Sequence, residues 1–122
     1  MERPFRFGPV AMSATLTTNI LNPGTTTGGV GMGSAYANLR ILLTHVRIVN
    51  KTAGAVTFSL WLGATGANAA GTEFIGTALS IAANSAYDWW GEMPMDTADF
   101  LVGGASAGTS LTIEGEGLIG IA

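Results

Sequence analysis

A period-two alternation of apolar and polar side chains is the feature that most constrains this fold. In the clearest segment the apolar residues stand at every second position: Val56, Phe58, Leu60 and Leu62. The positions between them are mostly polar, as at Thr57 and Ser59. Because successive side chains of a β-strand point to opposite faces, the segment predicts a strand with one strongly apolar face. No stretch has the apolar spacing of a helix longer than about two turns.

Other segments follow the same rhythm and are separated by turn residues. Strands are predicted at residues 36–50, 72–81, 83–91, 99–105 and 110–116, with an extension at 118–121. In the first of these segments the apolar phase changes between Leu43 and Val46, and a β-bulge near Thr44 reconciles the two phases. Short strands at this spacing predict an all-β fold, which we interpret as a single antiparallel β-sandwich of jelly-roll type.

The first third of the chain differs from the rest in composition. Residues 22–34 are rich in Gly, and the Phe5-Arg6-Phe7 segment before them places two aromatic rings on one face of an extended strand. We therefore divide the chain into an N-terminal arm with a Gly-rich loop, residues 1–34, and a β-sandwich domain, residues 35–122. The arm is predicted to dock on a neighbouring subunit through Phe5, Phe7 and Met12. The alternative is an edge strand of the chain's own sandwich.

The chain carries little charge for its length. Only 11% of its 122 residues are charged, against about 25% in an average soluble domain, and the net charge is −3. With five Lys and Arg in all, neither nucleic acid nor a membrane surface is an expected partner. Mean hydropathy is +0.41, yet no apolar run approaches the roughly 18 residues of a membrane span. The low charge predicts that much of the surface contacts protein, as in a homo-oligomer.

Side chains able to carry catalysis or hold a metal are few and scattered. The chain has no Cys and one His, His45, so a thiolate or His-rich metal site needs help from another subunit. Ser106 stands in a G-x-S-x-G pattern, but no helix or later His follows it, which favours a hairpin turn. The acidic residues match no calcium-binding loop: Asp88, Glu92, Asp96 and Asp99. We expect no enzymatic activity, no metal and no cofactor.

The tandem Trp89-Trp90 points to a surface. Neighbouring residues of a strand face opposite ways, and the phase of the segment turns Trp89 inward and Trp90 outward, unless a wide core takes both rings. His45 and Arg47 share one strand face, which fits a solvated sheet face or, alternatively, an inter-subunit contact. Counting the arm residues, the candidate interface residues are Phe5, Phe7, Met12, Trp61, Trp90, Met93 and Met95.

From about residue 36 to residue 120 the order of features resembles that of small β-sandwich proteins among the virion components of tailed phages. The segments that carry the resemblance are residues 44–50, 56–62, 81–85, 87–90, 99–101 and 111–115. The resemblance implies a capsid decoration or cement protein that binds the major capsid protein or other virion proteins. It also implies a small symmetric homo-oligomer, with a trimer as the first expectation.

Two alternatives to capsid decoration remain open. The first is an accessory structural protein of the neck or tail, which belongs to the same resemblance. The second is a carbohydrate-binding module in which Trp61 and Trp90 stack on sugar rings. Residues 1–10 lack the apolar segment of a signal peptide, so we expect use without export, in a virion assembled in the host cytoplasm.

Overall fold

A computed structural model describes residues 2–25, 29 and 39–121. Eight strands run through these residues, and no helix is found among them. The strands are β1 (Glu2–Ala11), β2 (Asn19–Leu21), β3 (Leu39–Asn50), β4 (Val56–Gly63), β5 (Leu79–Ile81), β6 (Ser85–Met95), β7 (Phe100–Ala105) and β8 (Leu111–Ile121). Accordingly, this part of the chain offers no helix long and apolar enough to cross a membrane.

The strands form two antiparallel sheets of four strands each. The first sheet has the order β1-β8-β3-β6, and the second has the order β2-β7-β4-β5. All pairs of neighbouring strands are antiparallel. The predicted all-β, antiparallel class is therefore confirmed for the described residues.

The inward faces of both sheets contribute to one hydrophobic core. In β4 the predicted core face is confirmed, because Val56, Phe58 and Leu60 are buried in the core and Leu62 packs against it. The opposite face is less open than predicted, since Ser59 and Trp61 are buried as well. Residues from every other strand complete the core, among them Phe7, Leu21, Ile48, Ile81, Met95, Leu101 and Ile113. Burial of this shared apolar area is the main force that holds the two sheets together.

A bulge in the middle of the first sheet confirms the predicted change of phase. Between Leu43 and His45 the pairing of β3 with β8 shifts by one residue, which leaves Thr44 unpaired. Leu43 and Val46 are consequently both fully buried, although they are three residues apart. On the other side of β3, the two residues Gly91 and Glu92 of β6 stand opposite Thr44 alone. The bulge sets which side chains of β3 and β6 face outward.

The N-terminal segment does not form the predicted extended arm. Residues 2–11 are β1, an edge strand of the first sheet, with Glu2 paired to Gly120 and Ala11 to Thr112. Phe5 and Phe7 are 2% and 1% exposed, and a methyl group added at Gly115 would overlap the Phe7 ring. The alternative interpretation, an edge strand of the same chain, is the one the structure shows, because both rings find their apolar partners within this core.

The predicted division at residue 34 does not separate the early strands from the sheets. β2 pairs with β7 in the second sheet, just as β1 pairs with β8 in the first. Most of the Gly-rich loop lies outside the described residues; of its later part only Gly29 is described, and it lies against the backbone of Arg6 and Phe7.

One predicted strand is much shorter than expected. Of residues 72–81 only Leu79–Ile81 form a strand, and Glu73 makes an isolated bridge to Trp61. Ile75 and Ala78 have φ angles of 73° and 51°, a left-handed conformation that a β-strand does not contain. The alternation in this segment therefore does not correspond to a continuous strand.

Candidate interaction surface

The outer face of the first sheet carries the most exposed large apolar side chain of the described residues, Trp90. Its exposure is 70%, and the other exposed large apolar residues among those described are Val10 and Leu16, at 45% and 39%. Trp90 lies on β6 opposite His45 of β3, His45 lies opposite Glu116 of β8, and Glu116 lies opposite Arg6 of β1. We call these four residues, one from each strand, the Trp90 row.

Trp90 lies flat on the imidazole of His45. The two ring centroids are 3.9 Å apart and the ring planes are inclined by 14°. His45 is only 6% exposed although it stands on the outer face of the sheet, because the indole covers it. One face of the indole is thus occupied by His45, and the other is turned to solvent.

Two carboxylates hold the His45 ring in place beneath the indole. Nε2 of His45 is 2.7 Å from Oδ1 of Asp88, and Nδ1 is 3.3 Å from Oε1 of Glu116. Asp88 comes from β6 and Glu116 from β8, so the ring is held from both neighbouring strands. This geometry fixes the plane of the imidazole and, through the stack, the orientation of Trp90.

Asp88 also binds the guanidinium of Arg47, its register partner on β3. Nε of Arg47 donates to Oδ1 of Asp88 over 2.9 Å. This hydrogen bond and, next to it, the one from His45 lower the pKa of Asp88 below its usual range. The bond to Asp88 in turn raises the pKa of Arg47. The pair is charged at neutral pH. Because both groups are open to solvent, the pair orients the Asp88 side chain and contributes little to the stability of the fold.

At the β1 end of the Trp90 row there is a shallow pocket of about 250 Å³. Pro4, Phe5, Arg6 and Glu116 line it. The next row of the outer face is apolar, since Leu42 pairs with both Pro94 and Leu118, and Leu118 pairs with Pro4. The surface therefore combines one open aromatic ring, a strip of apolar residues and several carboxylates.

Most of the predicted interface residues lie in the core of this chain. Trp90 is exposed and Met93 is half-buried; the other five are buried: Phe5, Phe7, Met12, Trp61 and Met95. Trp61 is 7% exposed and belongs to the second sheet, whereas Trp90 belongs to the first. The predicted platform of two open tryptophans is therefore corrected to one open ring. An interface role for Trp90 stays a prediction.

The stack on His45 was not anticipated, although each half of it was visible in the sequence. Alternation placed His45 with Arg47 on one strand face and Asp88 with Trp90 on another. What brings the two pairs together is the pairing of β3 with β6, strands that are separated in the chain by β4 and β5.

Elsewhere the described residues contain little that could carry chemistry. Ser106 lies in the turn between β7 and β8, where its hydroxyl accepts a hydrogen bond from the Thr57 amide over 3.1 Å. Within the described ranges no three His, Cys, Asp or Glu side chains are grouped to hold a metal ion. A groove of about 230 Å³ on the second sheet is lined by Leu16 and by small or hydroxyl-bearing residues, Ser59 and Thr57 among them.

Comparison with known proteins found no matching family and no matching curated protein.

Proposed function

We propose that the chain is a structural protein of a tailed-phage particle, and specifically a capsid decoration or cement protein. The observation that carries the proposal is the order of the strands. Eight antiparallel strands in two sheets, ordered β1-β8-β3-β6 and β2-β7-β4-β5, fit a jelly-roll β-sandwich. Jelly rolls recur in viral shell proteins and in lectins, so the strand order supports both the virion proposal and its carbohydrate-binding alternative.

The pairing pattern explains why this order fits a jelly roll. β4 pairs with β5, β3 with β6, β2 with β7 and β1 with β8. The chain is thus one long antiparallel ribbon with its tip between β4 and β5. Rolling such a ribbon into two layers places β8 beside β3 and β7 beside β4, which are the remaining contacts of the two sheets.

The surface supports a function in assembly. Only 11% of the residues are charged, and an open indole on an outer sheet face is typical of residues that anchor protein interfaces. We propose that Trp90 is the central contact to the major capsid protein or another virion protein. On this proposal the chain acts as a homo-oligomer, with a trimer as the first expectation.

Two other assignments compete with capsid decoration. A neck or tail accessory would use the same fold but would be present in only a few copies per particle. A carbohydrate-binding module is favoured by the open Trp90 ring with carboxylates beside it, because sugars stack on such rings. It is disfavoured by the burial of Trp61, which leaves a single stacking ring among the described tryptophans.

The test is binding of the purified chain to particles that lack it. The parent chain should bind in a fixed ratio to the major capsid protein, and Trp90→Ala should weaken binding at least about tenfold, as expected for an interface anchor. Val10→Ala is the matched control, because Val10 is also an open apolar residue but lies on β1, away from Trp90. Equal binding by Trp90→Ala and the parent, or no binding at all, would contradict the proposal.

A further inference from the structure

We infer that the solvent-facing ring of Trp90 receives a cationic side chain of the partner, an arginine or a lysine. The inference rests on the proposed function, because it names the chemistry that the partner must bring to the same surface. The cation would lie over the indole, on the side opposite His45.

The indole of Trp90 has one open face, and its orientation is fixed. His45 lies parallel to one face at 3.9 Å, so only the opposite face is open, and its orientation is fixed by Asp88 and Glu116 through the imidazole. The face of an aromatic ring carries negative electrostatic potential, and indole is the best cation acceptor among side chains. An open indole held rigidly in this way is preorganised for a cation.

Carboxylates outnumber guanidinium groups around the ring. The outer faces of β6 and β8 carry four carboxylates close to the Trp90 row: Asp88, Glu92, Glu114 and Glu116. Only two guanidinium groups, those of Arg6 and Arg47, share these rows. The surplus of carboxylates gives the surface the same negative sign as the indole face, so both favour a positive partner group.

Both guanidinium groups of these rows already have hydrogen-bond acceptors. Arg47 donates to Asp88, and Nε of Arg6 donates to the carbonyl of Gly8. Glu92, two residues beyond Trp90 on the same strand, makes no hydrogen bond or ion pair with any described residue. A guanidinium or ammonium group placed over Trp90 therefore has a nearby carboxylate, that of Glu92, which no side chain of the described residues neutralises.

A sugar fits the same surface less well. Sugar-binding faces commonly offer more than one stacking ring, and the other two tryptophans are buried or half-buried here. Hydrogen bonds to a sugar do not require a net negative surface, whereas a cation is attracted by it.

The experiment is a titration of the ¹⁵N-labelled chain followed through the three indole N–H signals, with Trp90→Phe used to assign that of Trp90. The probe is a blocked tri-arginine peptide, and the control is the tri-citrulline peptide, which has the same shape but no charge. We expect the arginine peptide alone to move the Trp90 signal, with an effect that declines as salt is added. The signals of Trp61 and Trp89 should stay in place.

Two variants separate charge from shape. Trp90→Leu should remove the binding, and Glu92→Gln should weaken it at most about fivefold, the upper size of a solvent-exposed ion pair. Glu73→Gln is the charge-matched control, because Glu73 lies against the second sheet and Gln keeps an acceptor for the Gly71 amide. A weakening by Glu73→Gln as large as that by Glu92→Gln would contradict a local effect.

Other outcomes overturn the inference. Equal shifts with arginine and citrulline, no shift with either, or a shift of Trp90 with neutral oligosaccharides in place of arginine would each exclude a cationic ligand. Particle binding distinguishes this failure from that of the proposed function. If particle binding needs Trp90 while arginine fails, only the ligand chemistry is wrong. If arginine binds but particles do not, only the virion assignment is wrong.

Discussion

The two faces of the first sheet place adjacent tryptophans in different environments. Trp89 is half-buried and packs edge-on against Phe74, with ring centroids 4.9 Å apart and planes inclined by 67°. Trp90, the next residue, is 70% exposed and stacks on His45. The inner face is fixed by apolar packing against the second sheet. The outer face is fixed by contacts among side chains of β6, β3 and β8.

We expect stability to depend on the inner face of the first sheet and recognition on its outer face. Residues of the inner face should control the free energy of unfolding, because their contacts are apolar and dry. Residues of the outer face should control binding while leaving the fold intact, because their ion pairs are open to solvent. The following predictions test this separation, beginning with the largest effect.

Phe7→Ala should cost about 3–5 kcal/mol of unfolding free energy, since the ring is buried and Gly115 leaves no side chain to fill the space. Urea unfolding measures the change. Arg6→Ala, one residue earlier and on the outer face, should stay within about 0.5 kcal/mol.

Deletion of residues 1–8 extends this test. It should prevent stable folding, since it removes most of an edge strand along with both Phe5 and Phe7. If the shortened chain unfolds like the parent, β1 is dispensable for the core. That result would favour the interpretation of this segment as an N-terminal arm.

Exchange of each tryptophan for Ala compares the two faces directly. Trp89→Ala should cost about 2–3 kcal/mol, less than a fully buried ring because Trp89 is half-buried. Trp90→Ala should cost less than about 1 kcal/mol, and it should uncover His45. Thermal or urea unfolding measures both changes. Similar losses of stability for the two variants would contradict the expectation that only the inner face controls stability.

Asn50 of β3 is polar but buried, and it therefore adds a hydrogen-bonded case to the apolar contacts of the inner face. Its amide is fully buried and donates to the carbonyls of Gly54 and Ile81 over 2.9 Å and 3.0 Å. Asn50→Ala should cost about 1–3 kcal/mol, because buried carbonyls lose their donor. Asn50→Asp has the same shape but lacks the donors, so it should be no better than Ala at neutral pH.

Asp88→Asn should have the smallest effect, visible as a change in pH dependence. The pKa of Asp88 is lowered in the folded chain by Arg47 and His45, so its charged form stabilises the fold above its unfolded pKa, near 3.9. That contribution is lost as the pH falls through the lower folded pKa. Melting temperatures from pH 7 to pH 2 should therefore fall slightly more for the parent than for Asp88→Asn, and parallel curves would contradict the assignment.

Alternation was a reliable guide in β3, β4 and β6, where the inward face of the strand meets the core. It predicted the phase of β4, the bulge at Thr44 and the opposite directions of Trp89 and Trp90. In each case burial of one face leaves a single register that keeps the apolar residues inside.

Alternation failed where burial depends on distant parts of the chain. Phe5 and Phe7 were predicted as anchors for a partner because nothing local shows that Gly115 of β8 provides space for a ring. Trp61 lies in the polar phase of β4, yet it is buried opposite Val102 of β7. Residues 72–74 run beside β4, and the Phe74 amide donates to the Leu60 carbonyl over 2.9 Å. The periodicity of the sequence does not reveal this contact.

The pairing of β1 with β8 also has a consequence for folding kinetics. Glu2 stands opposite Gly120, so the first sheet cannot be completed before nearly the whole chain has been brought together. Such non-local pairing places folding in the slow range of milliseconds to seconds that is typical of β-sandwiches. Arg6 and Glu116, which share the Trp90 row, become neighbours only when β1 pairs with β8. A partner that contacts both ends of the row would therefore distinguish a finished subunit from a partly folded one.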